Sequence, residues 1–168
     1  MQNLATALQE LQRFEEAETL YRRSLTLKRK TLGDRHPSVT IGLNNFGRFL
    51  ALQRGKPAEA EPVILEAIAL DRQIFGERHT FVAEGLRNLG FVRRLRGRFA
   101  ESESALREGL AIDRALVGAK DRRIGALLSE LSQTLVLKGA CKEGMEVQRE
   151  SLAIYQNEFG EQIGRAHV

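Results

Sequence analysis

Tryptophan is absent from this sequence, proline occurs three times, and cysteine occurs once, at Cys141. A lone thiol excludes an internal disulfide and any multi-thiolate metal site, so the cytoplasm is the expected setting. Nowhere does the chain approach the ~18 consecutive apolar residues that a membrane span needs. The N-terminus also lacks the basic-then-apolar pattern of a secretory signal. Scarce proline excludes a collagen-like or low-complexity chain despite 15 glycines. Charge of one sign is not in excess either: 26 basic residues face 22 acidic ones, interspersed, for a net charge of +4. That balance names no nucleic acid or membrane as a partner. What is present, 42% hydrophobic and 29% charged residues over 168 positions, suits a soluble domain with a buried core.

The informative pattern is internal repetition. Leu32-Gly33, Phe75-Gly76, Val117-Gly118 and Phe159-Gly160 follow one another at steps of 43, 42 and 42 residues. Asn3-Leu4-Ala5 returns as Asn45-Phe46-Gly47 and Asn88-Leu89-Gly90, and in degenerate form as Glu130-Leu131-Ser132. In a third register, Arg13-Phe14-Glu15-Glu16-Ala17-Glu18 matches Arg98-Phe99-Ala100-Glu101-Ser102-Glu103, with Pro57-Ala58-Glu59-Ala60-Glu61 between them.

Each copy reads as two helices. The stretch from Val39 to Gln53 places Leu43, Phe46, Gly47 and Leu50 on one side of a helix of 3.6-residue period. Gly55, Gly97 and Gly139 mark the turn that follows, because glycine tolerates the positive φ that ends a helix. The second helix opens with acidic residues, which suit the positive end of a helix dipole. Pro62 is expected in its first turn, where a missing N–H costs least. Gly33, Gly76, Gly118 and Gly160 are expected to stop it, after which Pro37 or Thr80 starts the next copy. No alternating run argues for a strand. One such pair cannot bury the apolar residues on both its sides, so the copies are expected to stack.

The segments 13–25, 32–39 and 43–47 resemble the tetratricopeptide repeat, in the 42-residue variety of kinesin light chains and many bacterial proteins. The resemblance implies an all-α fold, a right-handed α-α superhelix of about four helix-turn-helix repeats. It divides the chain into 1–33 (short of part of its first helix), 39–76, 81–118 and 123–160. Gly144 stands where the family prefers alanine, Gln148 where it prefers a large residue, and Arg93 where it prefers an apolar one. The first unit starts about six residues late, which reads as a piece of a longer array. Ile163 to Val168 breaks the register and matches the translation of a common sequencing adapter, so residues 163–168 read as a read-through tail.

By the same resemblance, the chain is a non-catalytic scaffold that binds a protein or peptide on the inner face of its first helices. Carried over by position, that face holds Gln2, Thr6 and Gln9; Asn44, Arg48 and Ala51; Arg87, Phe91 and Arg94; and Ser129, Gln133 and Val136. Asn3, Asn45 and Asn88 stand beside it, with Glu130 in the fourth copy. Asparagine can pair with a peptide backbone through donor and acceptor at once. Arg48, Arg87 and Arg94 can hold carboxylates in bidentate fashion, and Phe91 can act as an apolar anchor. The expected partner is therefore an extended, acidic segment. The competing reading is a solvated helix face, with asparagine bonded to the next unit.

Other features weigh less. Arg93-Arg94-Leu95-Arg96-Gly97-Arg98 is the densest basic cluster, the one place for a nucleic-acid surface. It lacks interleaved aromatics beyond Phe91 and Phe99, so a solvated turn partly neutralised by Glu101 and Glu103 is favoured. His36 and His79 share one position, which fits helix starts better than metal ligation. Cys141 has no catalytic motif around it. No cofactor, metal or catalytic residue is assigned. A regulatory array attached to a kinase or ATPase domain is a further alternative, and open ends of the stack are expected to self-associate.

Overall fold

The computed structural model describes residue 8, residues 11–118 and residues 121–166, with residues 158–166 described by backbone path only. Among the described residues are seven α-helices and no strand: α1 (Phe14–Leu32), α2 (Pro37–Leu52), α3 (Pro57–Phe75), α4 (Thr80–Leu95), α5 (Phe99–Val117), α6 (Arg122–Lys138) and α7 (Cys141–Ala166). The expected helix pairs are α2–α3, α4–α5 and α6–α7. Leu8, ahead of α1, is helical and buried.

Local chemistry sets the boundaries. His36 and His79 cap α2 and α4, their Nδ1 atoms accepting from the Ser38 and Phe81 N–H groups at 3.1 and 3.2 Å. Asp121 does the same for α6 through the Arg123 N–H at 2.8 Å. Each satisfies one orphan donor of a first turn. At the turns, Gly55, Gly97 and Gly139 have φ of 60, 71 and 96°, a region that favours glycine.

Two boundary expectations need correction. Pro62 lies inside α3, because that helix begins earlier, at Pro57. Pro57 takes the tolerant first position, and Pro62 leaves the Ala58 carbonyl without its helical donor. Gly160 does not stop the last helix, since α7 stays helical to Ala166.

Every helix packs on its sequence neighbours, and α2 also meets α4 while α4 meets α6. The backbones of α1, α3, α5 and α7 do not approach one another in this way. The first helices of the units therefore line the inside of the curve and the second helices its outside. The core runs across unit boundaries. Tyr21 of α1 stacks on Phe46 and Phe49 of α2 at 5.8 and 5.1 Å between ring centroids, and one cluster continues through Ile64, Ile68, Leu86 and Leu89 to Ile112.

Close approach within each pair depends on small residues. A Cβ on Gly47 would lie 2.5 Å from Ile64 Cγ1, and one on Gly90 would lie 2.5 Å from Leu106 Cγ. The fourth unit keeps this contact by exchanging partners. In the third unit, Ser102 Oγ on the second helix donates to the Gly90 carbonyl on the first, at 2.7 Å. In the fourth, Ser132 Oγ on the first helix donates to the Gly144 carbonyl on the second, at 2.8 Å. Gly144 is thus the counterpart of a serine moved to the facing helix.

Two rails of ion pairs cross all three described unit boundaries. Along the outer helices, Arg29, Arg72 and Arg114 donate to Glu66, Glu108 and Glu150 of the next unit at 2.8, 2.5 and 2.5 Å. The other rail runs from the start of each second helix to the next unit's turn. Glu18 takes Arg54 and Lys56, Glu61 takes Arg96 and Arg98, and Glu103 takes Lys138. Arg93 also turns onto Glu61, at 3.0 Å, so its charge is satisfied where an apolar residue was expected.

Candidate peptide-binding groove

The first helices α2, α4 and α6 meet one another along the stack, and by helical spacing the candidate strip on their inner faces comprises Asn44 and Arg48, Arg87, Phe91 and Arg94, and Gln133. Asn3 and Thr6 lie outside the described residues.

Asn44, Arg48 and Asn88 are joined in a single chain of hydrogen bonds. Arg48 Nη1 donates to Asn88 Oδ1 at 3.1 Å, and Asn88 Nδ2 donates to Asn44 Oδ1 at 3.1 Å. Asn88 is 1% exposed, so it serves the interface between units and cannot meet a peptide. The expectation for Asn88 as a ligand residue is corrected: one position around a helix, about 100°, separates the strip from the unit interface. Asn45, at the equivalent position in α2, is half-buried, and its side chain makes no hydrogen bond with a described residue.

The arginines differ sharply. Arg87 is held by Glu84 through two contacts, of 2.6 and 3.2 Å. Arg94 donates to Glu130 at 2.8 Å and lies over the Phe91 ring at 5.4 Å. Both cations are already neutralised, and Phe91 is half-buried against the core beneath its arginine. Arg48 alone of the three is held by a neutral amide, that of Asn88, with no carboxylate among the described residues in ion-pair range. Gln133 is exposed. The strip therefore offers a pre-oriented guanidinium at Arg48, a covered aromatic at Phe91 and an exposed amide at Gln133.

The basic cluster after α4 is turned inward. Arg93, Arg96 and Arg98 converge on Glu61, whose side chain is 6% exposed. Arg98 also pairs with Glu101, whereas Glu103 is engaged by Arg107 and Lys138. Burial tends to raise the Glu61 pKa, but the surrounding guanidiniums bring it below the usual carboxylate value. Sequence reasoning missed Glu61, although Glu18, Glu61 and Glu103 share one register position.

A shallow cleft at the start of α6 is lined by Glu84, Arg87, Asp121 and Arg123, whose charges pair locally. Asp113, near these groups, is 2% exposed and its Oδ1 has no hydrogen-bond donor. Burial raises its pKa to about 6, helped by Asp121 and Glu84 and opposed by Arg123 and Arg87.

Stacked helix pairs with the first helices inside define an α-solenoid of about 42-residue repeats. The chain belongs to the tetratricopeptide repeat family, whose model matches residues 1–73, 42–115 and 81–157. Among solved structures it is similar to BtubC (BKLC) from P. vanneervenii, with 20% identity, a TM-score of 0.82, and coverage of 95% of this chain and 63% of that one. It is also similar to a kinesin light chain with nearly identical TPR-like repeats from Podosopora anserina, with 20% identity, a TM-score of 0.78, and 93% and 74% coverage. The chain thus spans less than two thirds of BtubC, and the likeness shows the fold. No curated protein matched.

Proposed function

We propose that this chain is a non-catalytic scaffold whose concave strip binds an extended segment of a partner protein through that segment's backbone and one carboxylate. Tetratricopeptide arrays commonly serve as protein-interaction scaffolds, and the helix pairs here follow that plan. The observation that carries the finer reading is the state of Arg48: half-buried, oriented by Asn88 and without an acidic partner among the described residues. A ligand carboxylate there would form a charge-assisted pair without displacing an internal one. Asn45 beside the strip and Gln133 further along it supply backbone-directed amides, and Thr6 and Asn3 extend the array of candidates by register. Arg87 and Arg94 act as supports, since recruiting them requires breaking their pairs with Glu84 and Glu130. In cells the scaffold is proposed to act in the cytoplasm; no described helix is long and apolar enough to cross a membrane.

A fluorescence-anisotropy screen with a random acidic peptide library tests this. Arg48→Ala is expected to weaken the best binders by about tenfold, the scale of one charge-assisted contact. Arg87→Ala is expected to have a smaller effect. Unchanged affinity in the Arg48→Ala, Arg87→Ala double variant would remove the arginines from the site.

A further inference from the structure

The exposed line of the first helices does not stay polar to its end. Asn44, Arg48 and Leu52 follow one another at intervals of four in α2, as do Arg87, Phe91 and Leu95 in α4, and Ser129, Gln133 and Leu137 in α6. Leu52, Leu95 and Leu137 thus share one register position, a helical turn beyond Arg48, Phe91 and Gln133 and next to the turn into each second helix. They are 50, 44 and 54% exposed. Every other residue of α4 is buried or half-buried, so the position most open to solvent on that helix is a leucine. A complete helix pair stands on each side of α4–α5, so the stacking of units leaves Leu95 uncovered. Single exposed leucines are ordinary on a protein surface, but three in one register form an apolar row along the array.

We infer that this row seats the aliphatic side chains of a polyproline-II segment of a partner protein, one that carries such a residue at every third position. The inference rests on the groove reading above and specifies the segment that the groove takes. Directly packed helices lie roughly 8–10 Å apart, axis to axis, and α2 meets α4 as α4 meets α6. In polyproline II, residues three apart fall on one side of the segment, about 9 Å from each other. A β-strand repeats a face about every 6.6–6.8 Å and falls out of step with the row after one seat. A helix comes near the spacing only with residues seven apart, about 10.5 Å. Its backbone is already bonded internally and leaves nothing for Asn45 and Gln133 to pair with, whereas a polyproline-II backbone keeps its polar groups open. Charge fixes one more position. Arg48 lies one turn from Leu52 without a described carboxylate partner, while Arg54, Arg96 and Lys138, just beyond the leucines, are held by Glu18, Glu61 and Glu103. The acidic residue of the segment therefore stands next to the one seated on Leu52, where a third of a turn directs it to the strip.

The probes are three labelled peptides titrated against the full chain by fluorescence anisotropy. One is built of four Leu-Pro-Glu triplets, the second has the same composition with its leucines two apart, and the third is an alanine- and glutamate-rich helix with leucines seven apart. The triplet peptide is expected to bind at least tenfold more tightly than either of the others. The Leu52→Gln, Leu95→Gln double variant is expected to lose at least tenfold of that affinity. Leu116→Gln, at 48% exposure on the outer helix α5, is expected to lose none. Both substituted leucines of the double variant are exposed, so its helicity is expected to match the parent's in circular dichroism, and the peptide comparison needs no variant. Equal binding of the three peptides, or tighter binding of the second or third, would overturn the proposal. So would a double variant that binds the triplet peptide like the parent while Arg48→Ala still weakens it, a result that leaves the groove reading standing. Affinity lost in the double variant but unchanged by Arg48→Ala would instead overturn the role of Arg48 and keep the leucine row.

Discussion

Glu61 sits inside the array with three guanidiniums directed at it, from Arg93, Arg96 and Arg98. Removing its charge leaves those arginines facing a neutral group in a poorly hydrated place, though their heads can partly turn to water. Glu61→Gln is expected to lower stability by about 1–3 kcal/mol in urea melts, and an unchanged midpoint would show that the cluster contributes nothing. Asp113 works in the opposite sense. Its folded pKa of about 6 exceeds the ordinary 3.8, so folding is favoured by protonation. That contribution is complete below the unfolded value and is lost as pH rises through 6. At neutral pH the buried charge is a net cost, on the order of 1–3 kcal/mol. Asp113→Asn is therefore expected to stabilise the chain at pH 7 and to have little effect near pH 4. An equal effect at both pH values would contradict this. Neither residue was legible as special in the sequence, because burial of a carboxylate depends on the neighbouring unit. The registers did hold the signal, in the recurrence of Glu18, Glu61 and Glu103 opposite a basic turn.

At the scale of helices, the sequence exposed nearly every boundary. Turn glycines and the capping positions of His36, His79 and Asp121 act through their own backbone neighbours, so local reading suffices. Pro62 lies a turn deeper than the acidic residues suggest, because Pro57, ahead of them, is the first residue of α3. At Gly160 the helix continues, because a glycine permits a turn without imposing one. The fourth pair offers a sharper test of packing. Gly144→Ala supplies the residue the family prefers, yet its Cβ would meet Val136 Cγ2 at 2.8 Å and the Ser132 carbonyl oxygen at 3.2 Å. The variant is expected to lose about 1–3 kcal/mol. Exchanging both partners, Ser132→Gly with Gly144→Ser, copies the third unit and is expected to recover part of that loss. A Gly144→Ala variant as stable as the parent in thermal melts would show that the serine–glycine exchange has no packing role.

For the molecule as a whole, the repeat period foretold the stacking order, and the inner strip followed from it. What the period could not resolve was which strip residues face outward. Asn88 and Asn45 share a register position, yet Asn88 is consumed by Arg48 and Asn44, because its surroundings come from the preceding unit. Arg94 is likewise taken by Glu130 in the following helix pair. Such pairings join residues about one repeat apart, and sequence proximity does not reveal them. The same feature is the source of stability: the largest core cluster draws on α1 through α5, so each unit's apolar faces are covered by its neighbours. The direct test is circular dichroism of residues 80–118 alone, the α4–α5 pair without its neighbours. That peptide is expected to be largely unfolded in water at 25 °C, while the full chain is helical and melts cooperatively. A cooperatively folded, helical α4–α5 pair in isolation would contradict the account.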